Sequence, residues 1–381
     1  MKILILLPGY YPAKNYGGPV ISIQNFTTLL GNNYECYIIT KNYEFKTNKK
    51  LTDINDGWNK IFNANVIYLS KKEFNYKEFF KITNEVNPNL IYVNSFFNYK
   101  MLLYAIAISK KKNITILLAP RGELCKNALD IKKTKKMIYI ILLKRILNSC
   151  KIFYQSTSAE ETNAIIKYLK VSKSKVKELT NIPTICNDIN NKKAKIKGRI
   201  NAIFVSRIHP KKNLSYLIDC LSEIKGKVKL DIYGPKEDIG YWNKVQFKIS
   251  SLPKNIQVSY CGNLEHEEII PTMMKYEFFL FYTLSENYGH VIAEAINSLC
   301  VPVISNKTPW NDLEKYNAGF IANIDNKKEC IEKLQAIVDM DSEQYNHMID
   351  NLKKYCNDKI DIKKTKKEYI EALGSIINGK D

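Results

Sequence analysis

Residues 285–295 have the sequence Ser285-Glu286-Asn287-Tyr288-Gly289-His290-Val291-Ile292-Ala293-Glu294-Ala295, which follows an apolar run and predicts a strand, a loop and a helix. Gly289 lets the backbone approach a ligand closely, and the amides after it form a helix N-terminus, which attracts phosphate. Glu294 lies about 7 Å along the helix, where a carboxylate can accept hydrogen bonds from a ribose diol. Glu286 precedes the helix and can reach sugar hydroxyls. The stretch therefore predicts a site for a nucleotide.

A second loop places two cations after another predicted strand. Its sequence is Phe204-Val205-Ser206-Arg207-Ile208-His209-Pro210-Lys211-Lys212-Asn213, with a strand ending at Ser206 and a helix beginning near Asn213. Fixed cations at the end of a strand bind a diphosphate and stabilise the charge that it develops as a leaving group. Loop lysines alone are usually solvated, and paired glutamates arise by chance. The order of these residues on successive strand ends makes the joint interpretation specific.

Strand-length apolar runs alternate with amphipathic stretches of helix length, which is typical of parallel sheets covered by helices. Predicted strands are 2–7, 35–40, 64–69, 89–94, 113–118, 151–155, 200–206, 228–233, 255–260, 277–282, 301–305 and 319–322. Predicted helices are 18–30, 132–148, 159–169, 213–224, 264–274, 289–298 and 326–338. The predicted fold class is α/β, with two Rossmann-like, doubly wound domains that face each other across a cleft.

Composition excludes several classes of protein. The chain has 381 residues, of which 45% are hydrophobic and 25% charged, so two domains can each bury a core. No apolar run approaches the roughly 20 residues that cross a bilayer, and the apolar N-terminus is interpreted as a first strand rather than a signal peptide. The nine cysteines are scattered without a Cys-x-x-Cys pair, which predicts reduced thiols in the cytoplasm.

The net charge of +20 is uneven along the chain. Residues 1–200 hold 34 basic and 13 acidic side chains, a balance of +21, whereas residues 201–381 hold 24 and 25, a balance of −1. An AT-rich genome would raise the lysine content of both halves alike. The basic first half therefore suggests binding to phosphates in a membrane, a lipid diphosphate or nucleic acid. Lys126–Leu147 is predicted as one basic amphipathic helix. It either docks on an anionic membrane or is a solvated basic face.

The second half resembles the retaining family 4 glycosyltransferases of the GT-B fold. The resemblance rests on the Glu-x7-Glu pair Glu286 and Glu294, the pair Arg207 and Lys212, and the strand Val301-Pro302-Val303-Ile304. It implies that Arg207 and Lys212 hold the donor diphosphate and that Glu294 binds the ribose. Glu286 and the residues after it would hold the transferred sugar. The catalytic residues implied are Arg207, Lys212 and Glu286, and the remaining donor-binding residues are Gly17, Gly18, Asn287, Tyr288, Gly289, His290, Val291 and Glu294.

The first half resembles the same family. Pro8-Gly9-Tyr10-Tyr11-Pro12 with Tyr16-Gly17-Gly18-Pro19 resembles its glycine-rich loop. Ala119-Pro120-Arg121-Gly122-Glu123-Leu124 and Thr308-Pro309-Trp310 resemble a subgroup that assembles bacterial capsule or O-antigen. The acceptor-side candidates are Asn94, Ser95, Arg121 and Glu123. This sequence departs from the family pattern where Asn213 and Cys300 replace glycines, and where no histidine stands near Asn94.

The resemblance implies a metal-independent hexosyl- or N-acetylhexosaminyltransferase with an NDP-sugar donor, most simply UDP-linked, and no cofactor. The implied acceptor is a glycan or a polyprenyl-diphosphate-linked oligosaccharide, reached from the inner face of the cytoplasmic membrane. The implied domains are an acceptor domain 1–186, a linker 187–199 and a donor domain 200–359, with a C-terminal helix 360–378 that packs on the first domain. The Asp-x-Asp pair Asp339 and Asp341 has metal-binding spacing, but helix capping is the preferred interpretation.

Two other functions remain open from sequence. A polyanion- or nucleic-acid-binding protein would explain the basic half, although it leaves Glu286 and Glu294 unexplained and no nucleic-acid motif is found. A sugar-nucleotide epimerase of the GT-B fold would use the donor without an acceptor. A gel-shift series at increasing salt, together with a UDP thermal-shift assay, separates the nucleic-acid-binding protein from the transferase. Conversion of the donor without any acceptor would identify the epimerase.

Overall fold

The computed structural model describes residues 1–13, 16–44, 49–130, 132–184 and 194–379. The chain divides into two compact units, of which the first comprises Met1–Ile182 and Ile362–Asp381 and the second comprises Pro183–Asp361. Residues 187–193 of the predicted linker lie outside the described residues, so the linker stays a prediction.

The first unit is built on an eight-stranded sheet. Its elements are β1 (Lys2–Leu6), α1 (Gly18–Leu30), β2 (Glu35–Lys41), β3 (Trp58–Ile61), β4 (Ala64–Leu69), α2 (Tyr76–Val86), β5 (Leu90–Asn94), α3 (Tyr99–Lys112), β6 (Thr115–Ala119), α4 (Lys126–Leu129), α5 (Lys133–Asn148), β7 (Ile152–Ser156), α6 (Ala159–Leu169) and β8 (Val176–Glu178). The strand order is β3-β4-β2-β1-β5-β6-β7-β8, and only the pair β3–β4 is antiparallel.

Both faces of this sheet are buried, as the continuous apolar sequence of β1 requires. Leu4 and Leu6 belong to one core cluster, whereas Ile3 and Ile5 belong to another on the opposite face, because successive side chains of a strand point in opposite directions. Helices α2, α3, α5 and α6 supply the first cluster, and α1 supplies the second. The carboxyl ends of the strands are thereby fixed at one edge, where the loops carry the acceptor-side candidates.

The second unit is built on a six-stranded parallel sheet. Its elements are β9 (Arg199–Val205), α7 (Leu214–Leu221), β10 (Lys227–Tyr233), α8 (Ile239–Ser250), β11 (Ile256–Tyr260), α9 (His266–Met273), β12 (Phe278–Phe281), α10 (His290–Asn297), β13 (Val301–Ser305), β14 (Phe320–Ala322), α11 (Lys327–Asp339) and α12 (Ser342–Lys359). The strand order is β11-β10-β9-β12-β13-β14. The order reverses between β9 and β12, which is where ligands bind in open α/β sheets.

The last helix, α13 (Ile362–Asn378), belongs to the first unit although it follows the second in sequence. Its buried residues Tyr369, Leu373 and Ile376 join the core cluster that contains Ile3. The hydroxyl of Tyr369 donates to Thr180 O at 2.9 Å and accepts from Gln155 Nε2 at 2.8 Å. The helix is therefore held by both apolar packing and buried hydrogen bonds.

The observed sheets and helices confirm the predicted fold class of two Rossmann-like α/β domains. The predicted single helix Lys126–Leu147 is wrong, because Lys132 has a left-handed φ of 58° and separates α4 from α5. Asp341 caps α12, since its carboxylate accepts from Gln344 N at 2.9 Å, which confirms capping. The prediction placed the start of α12 at Asp341, but it listed none of β3, β8, α2, α3 and α8.

Candidate functional site

Two loops that are distant in sequence meet at the carboxyl ends of β9 and β12. These strands are parallel neighbours, with Ala202 paired to Phe278. Leu284 N donates to Lys211 O at 2.9 Å, and Thr283 Oγ1 donates to the same oxygen at 3.2 Å. The loop of the predicted cations and the loop of the predicted glutamates are therefore joined by hydrogen bonds.

Lys212 and Glu286 form an ion pair within this junction. Lys212 Nζ donates to Glu286 Oε1, and each side chain is only 13% exposed. The ammonium also lies 5.3 Å from the centre of the Phe281 ring. An ammonium has three donor hydrogens, so Lys212 can keep Glu286 as a partner and still donate to a phosphate oxygen. The ion pair thus joins a residue that the sequence assigned to the donor diphosphate, Lys212, with one that it assigned to the transferred sugar, Glu286.

Arg207 forms a second ion pair at the end of β9. Its Nη1 lies 2.6 Å from Glu237 Oε2, with side-chain exposures of 43% and 18%. A guanidinium has five donor hydrogens, of which this contact uses one. Sequence reasoning missed Glu237, because no motif marks a carboxylate 30 residues away on the loop after β10.

Gly234 allows the Arg207 loop to pack against the end of β10. Its φ is 135°, and a Cβ at this position would lie 1.9 Å from Ser206 O. Ile208 N then donates to Pro235 O at 2.8 Å. Any larger residue would displace the backbone that carries Arg207, so this glycine positions the cation.

A third cation, Lys211, stands in the same loop. Loss of water around its ammonium lowers the pKa of Lys211, and the charges of Lys212 and Arg207 lower it further, against the opposing effect of Glu286. Arg207, Lys211 and Lys212 therefore lie close enough for their charges to interact, and Glu286 partly compensates them. An anion placed beside these cations would be stabilised by several of them at once.

The helix α10 begins in the way that sequence predicted. Gly289 precedes it with φ 78° and ψ 65°, and a Cβ there would lie 2.9 Å from Ile292 Cδ1. Trp310 holds the preceding turn, because its Nε1 donates to Tyr288 O at 2.6 Å. The Tyr288 ring packs against Trp310 and His290 at centroid distances of 5.5 and 4.9 Å. Asn287 lies in the loop before α10 and Val291 in its first turn, and each is partly buried.

Glu294 is 2% exposed on α10. Its Oε1 lies 3.4 Å from Thr184 Oγ1, a hydrogen-bond donor, and 3.5 Å from His266 Nδ1. Burial raises the pKa of Glu294 to about 7, and the Thr184 hydrogen bond opposes the rise. Burial lowers the pKa of His266, with Glu267 opposing, so His266 is neutral at pH 7 and does not compensate a charge on Glu294.

Thr184 and His266 are the two neighbours of Glu294 that sequence reasoning missed. Thr184 Oγ1 also contacts His266 Nε2 at 3.2 Å, so the three side chains form one cluster. His266 is 82 residues and Glu294 is 110 residues from Thr184 in the sequence. The only sequence feature that could have marked this cluster is the presence of a histidine, and a histidine alone does not show which residues it contacts.

Asn213, which departs from the family glycine, has φ 56° and ψ 29°. Asparagine tolerates the left-handed conformation better than most residues. The substitution therefore keeps the turn that places Lys212 before α7. The other departure, Cys300, is fully buried in the core before β13.

The predicted glycine-rich loop leads into α1. Gly17 has φ 70°, and Gly18 is the first residue of the helix. Gly18 O accepts from Ser22 Oγ at 3.0 Å, and Ser22 Oγ also donates to Asn181 Oδ1 at 3.3 Å. The turn is thereby tied to the polar side chains of the first unit.

The four acceptor-side candidates form two hydrogen-bonded pairs in the first unit. Arg121 donates to Asn94 Oδ1 at 2.7 and 2.9 Å and to Asn181 Oδ1 at 2.7 Å. Glu123 accepts from Ser95 Oγ at 2.8 Å. In the described part of the chain, Asn94 Nδ2 is buried without a hydrogen-bond partner. The Asn94 side chain thus contains a buried donor that no described group accepts from.

Glu123 supports the loop that follows β5. Its Oε2 accepts from the amides of Phe96 at 2.6 Å and Phe97 at 3.0 Å. Burial raises the pKa of Glu123, and these hydrogen bonds oppose the rise. The contacts make Glu123 a positioning residue for residues 95–98, and its contact with an acceptor stays a prediction.

The structure thus brings together Arg207, Lys212 and Glu286, with Glu294 on the adjoining helix α10, all in the second unit. The acceptor-side candidates and the Gly17-Gly18 turn lie in the first unit. Among the described residues, no group of three His, Cys, Asp or Glu is placed to hold a metal ion. Within the same residues, no helix combines the length and apolarity that crossing a bilayer requires.

Comparison with known structures supports the GT-B fold. HepE from Anabaena, solved with UDP and glucose, matches with a TM-score of 0.73 at 16% identity, over 98% of this chain and 100% of HepE. Sucrose-phosphate synthase from Thermosynechococcus elongatus matches with a TM-score of 0.74 at 12% identity, over 99% of both chains. A glycosyltransferase from Rickettsia africae matches with a TM-score of 0.71 at 14% identity, over 99% and 98%.

Sequence comparison finds a family match in the second half of the chain. None of the curated proteins compared with this sequence matches it. Residues 187–355 match the family model described as glycosyl transferases group 1, and they contain Arg207, Lys212, Glu286 and Glu294. The match confirms the predicted glycosyltransferase assignment: the second half of this chain carries a glycosyl transferases group 1 domain.

Proposed function

We propose that this protein is a retaining, metal-independent glycosyltransferase that moves a sugar from an NDP-sugar to a glycan or a lipid-linked oligosaccharide. The observation that carries the proposal is that Arg207, Lys212 and Glu286 lie on adjoining strand-end loops, with the buried Glu294 on the helix that follows Glu286. These four residues lie in a glycosyl transferases group 1 domain.

Arg207 and Lys212 receive the donor diphosphate. Their charge stabilises the leaving group most when the bond to the sugar breaks, because negative charge then develops on the phosphate oxygens. Each cation still has donor hydrogens beyond those used by Glu237 and Glu286. Two fixed cations supply the charge that a divalent metal provides in other transferases, which supports metal independence.

Glu294 accepts hydrogen bonds from the ribose hydroxyls. Its burial makes the carboxylate costly without such donors, and the ribose supplies them. Glu286 and the backbone from Asn287 to Val291 hold the transferred sugar at the start of α10. Gly17 and Gly18 offer a turn where backbone can approach the donor or the acceptor closely.

The donor is proposed to be UDP-linked. Support comes from HepE, whose fold covers 98% of this chain and which was solved with UDP-glucose. Retention of configuration is proposed to follow from attack on the face that the diphosphate leaves. The diphosphate then takes the acceptor proton, and no protein nucleophile is required.

The acceptor is proposed to be a surface glycan under assembly, such as capsule or O-antigen. Asn94, Ser95, Arg121 and Glu123 form the polar set of the first unit that would meet it. The Nδ2 of Asn94 is buried without a partner among the described residues, and an acceptor hydroxyl or phosphate oxygen that reached it would accept a hydrogen bond from it. Such a ligand would satisfy a donor that otherwise carries a desolvation cost.

We further propose that the protein works at the inner face of the cytoplasmic membrane. The outer face of α5 exposes Ile138, Ile141, Leu142 and Ile146, with exposures of 55%, 52%, 68% and 40%. Their spacing of three and four residues places them on one face, where Lys135 and Arg145 also lie. The exposed apolar side chains favour membrane docking over a solvated basic face, because a mixed apolar and basic face suits an anionic membrane surface.

A panel of UDP-, GDP- and dTDP-sugars tests the donor, because a bound ligand raises the melting temperature. We expect a UDP-sugar to give the largest rise. Transfer to a glycan extract, followed by NMR of the new anomeric centre, tests retention. Conversion of the donor sugar without any acceptor would instead indicate an epimerase, and binding to nucleic acid without binding to UDP would contradict the proposal.

A further inference from the structure

A cavity of about 450 Å³ opens beside the start of α5 in the first unit. Its volume lies within the range of small-molecule sites, roughly 300–1,000 Å³. Phe97, Tyr99, Leu103 and Tyr139 form its apolar walls, and Lys132, Lys135 and Lys136 also line it. An apolar interior with cations around it differs from the polar set of Asn94 and Arg121, so the cavity is a separate feature.

The aromatic wall is held rigidly. Phe96, Phe97 and Tyr139 pack with centroid distances of 5.2, 5.7 and 5.8 Å. Tyr139 OH donates to Phe96 O at 3.3 Å, and Glu123 fixes the amides of Phe96 and Phe97 from behind. A wall fixed in this way forms a prepared site, because little ordering remains to be done when a ligand binds.

The lysines differ in how they are held. Lys136 Nζ donates to Ala128 O at 2.6 Å and lies 4.9 Å from the centre of the Phe97 ring. Lys132 and Lys135 are exposed, and neither forms an ion pair in the described part of the chain. Two exposed cations beside an apolar cavity match a ligand with an anionic head and a hydrocarbon tail.

Charge also limits what can cover this face. Residues 133–148 of α5 contain no acidic side chain. A second copy packed by two-fold symmetry would place the same basic face against itself, and like charges repel. An anionic lipid meets the lysines with opposite charge, and its chain meets the aromatic wall.

We propose that the cavity binds the hydrocarbon chain of a phosphate-bearing lipid and that Lys132 and Lys135 bind its phosphate. This inference rests on the proposed function. If the protein is a glycosyltransferase, a lipid-binding site indicates a lipid-linked acceptor rather than a soluble glycan. Glu123 then acts as a positioning residue, because it fixes the loop that carries Phe97. The exposed apolar residues of α5 continue the same surface and would lie in the bilayer interface.

Titration calorimetry with dodecyl phosphate, below its micelle concentration, tests this site on the full chain. The comparison ligands are inorganic phosphate, which lacks the chain, and dodecyl maltoside, which lacks the charge. We expect saturable binding of dodecyl phosphate alone. Leu103→Glu and Lys135→Glu should each weaken it at least about tenfold, because each removes one of the two attractions.

Matched controls separate local effects from general ones. Phe62→Glu and Lys77→Glu change exposed residues of the same unit outside the cavity, and they should leave binding unchanged. Equal affinity in the wild type and both cavity variants would overturn the inference, as would equal binding of dodecyl maltoside. A dimer in the wild type that Leu103→Glu abolishes would assign the face to a second copy instead.

UDP binding, measured on the same variants, keeps the two proposals distinguishable. Normal UDP binding without dodecyl phosphate binding would contradict only the lipid site. Dodecyl phosphate binding without UDP binding would contradict the proposed transferase and leave a lipid-phosphate site.

Discussion

The ammonium of Lys212 donates a hydrogen bond to the carboxylate of Glu286, and both side chains are largely buried where the loops after β9 and β12 meet. A buried charge is stable only when it is paired, so each residue keeps the other in place while the site is empty. In the proposed function, the pair keeps a cation in position for the diphosphate and a carboxylate in position for the transferred sugar.

Removal of either cation should slow transfer strongly. We expect Arg207→Ala and Lys212→Ala each to lower kcat by about 100- to 1,000-fold, by loss of stabilisation of the leaving diphosphate. Initial rates with saturating UDP-sugar provide the measurement. Lys225→Ala, at an exposed lysine of the same unit, is the control. Circular dichroism should show that the variants remain folded, and near-normal kcat in both would contradict the role of the cations.

Binding of UDP should strengthen as the pH rises from 6 to 8. The pKa of Glu294 is raised to about 7, and only the ionised carboxylate accepts both ribose hydroxyls. Between these pH values its ionised fraction rises about tenfold, so affinity should gain about tenfold from this group. The terminal phosphate of UDP titrates too, with a pKa of about 6.

Glu294→Gln isolates the contribution of the carboxyl group. The variant should keep only the pH dependence that the phosphate causes. The raised pKa of Glu294 also predicts how the stability of the protein depends on pH. Ionisation of the buried acid costs free energy in the folded state, so the wild type should lose stability as the pH rises through 7. Without ligand, the melting temperature of Glu294→Gln should exceed that of the wild type at pH 8, and the difference should shrink towards pH 5. If the UDP affinity of Glu294→Gln depended on pH in the same way as that of the wild type, Glu294 would not bind the ribose.

Gly289→Ala should disturb the start of α10. The residue has φ 78°, and a Cβ would meet Ile292 Cδ1 at 2.9 Å. The left-handed conformation costs an L-residue about 1–2 kcal/mol, and the backbone amides at the start of α10, which are proposed to contact the donor, should shift. We expect a raised KM for the UDP-sugar with a lower melting temperature. Gly374→Ala, where a Cβ meets nothing within 4 Å, should leave KM unchanged.

Glu123→Ala should destabilise the first unit without affecting UDP affinity. The substitution leaves two amides and the Ser95 hydroxyl without their acceptor, and each unsatisfied buried group costs about 1–3 kcal/mol. Glu123→Gln keeps one acceptor oxygen and should lose less stability. Denaturant unfolding gives the ranking, and weakened UDP binding in Glu123→Ala would show that the residue also acts on the donor.

Sequence reasoning predicted the parts of the site that lie within one strand–loop–helix unit. Arg207 and Lys212 share one loop, and Glu286 and Glu294 flank one helix start, so local spacing was sufficient. Glu237, Thr184 and His266 were missed, because their partners stand 28 to 110 residues away and no local pattern encodes such contacts. The fold class followed from buried apolar runs, which both faces of a parallel sheet require.

Failures of the fold prediction have the same physical origin. The antiparallel edge strand β3 is half exposed and lacks a continuous apolar run, so its periodicity is weak. The break at Lys132 depends on a left-handed φ, which the lysine type does not signal. Both features are set by packing and not by local propensity.

The most direct test of the central claim is a calorimetric titration of UDP into the wild type, Arg207→Ala, Lys212→Ala and Glu294→Ala at pH 8. If the second unit grips a nucleotide diphosphate with these side chains, the wild type binds one UDP and each variant binds at least about tenfold more weakly. UDP binding of equal strength in all four proteins, or no binding to the wild type, would contradict the account.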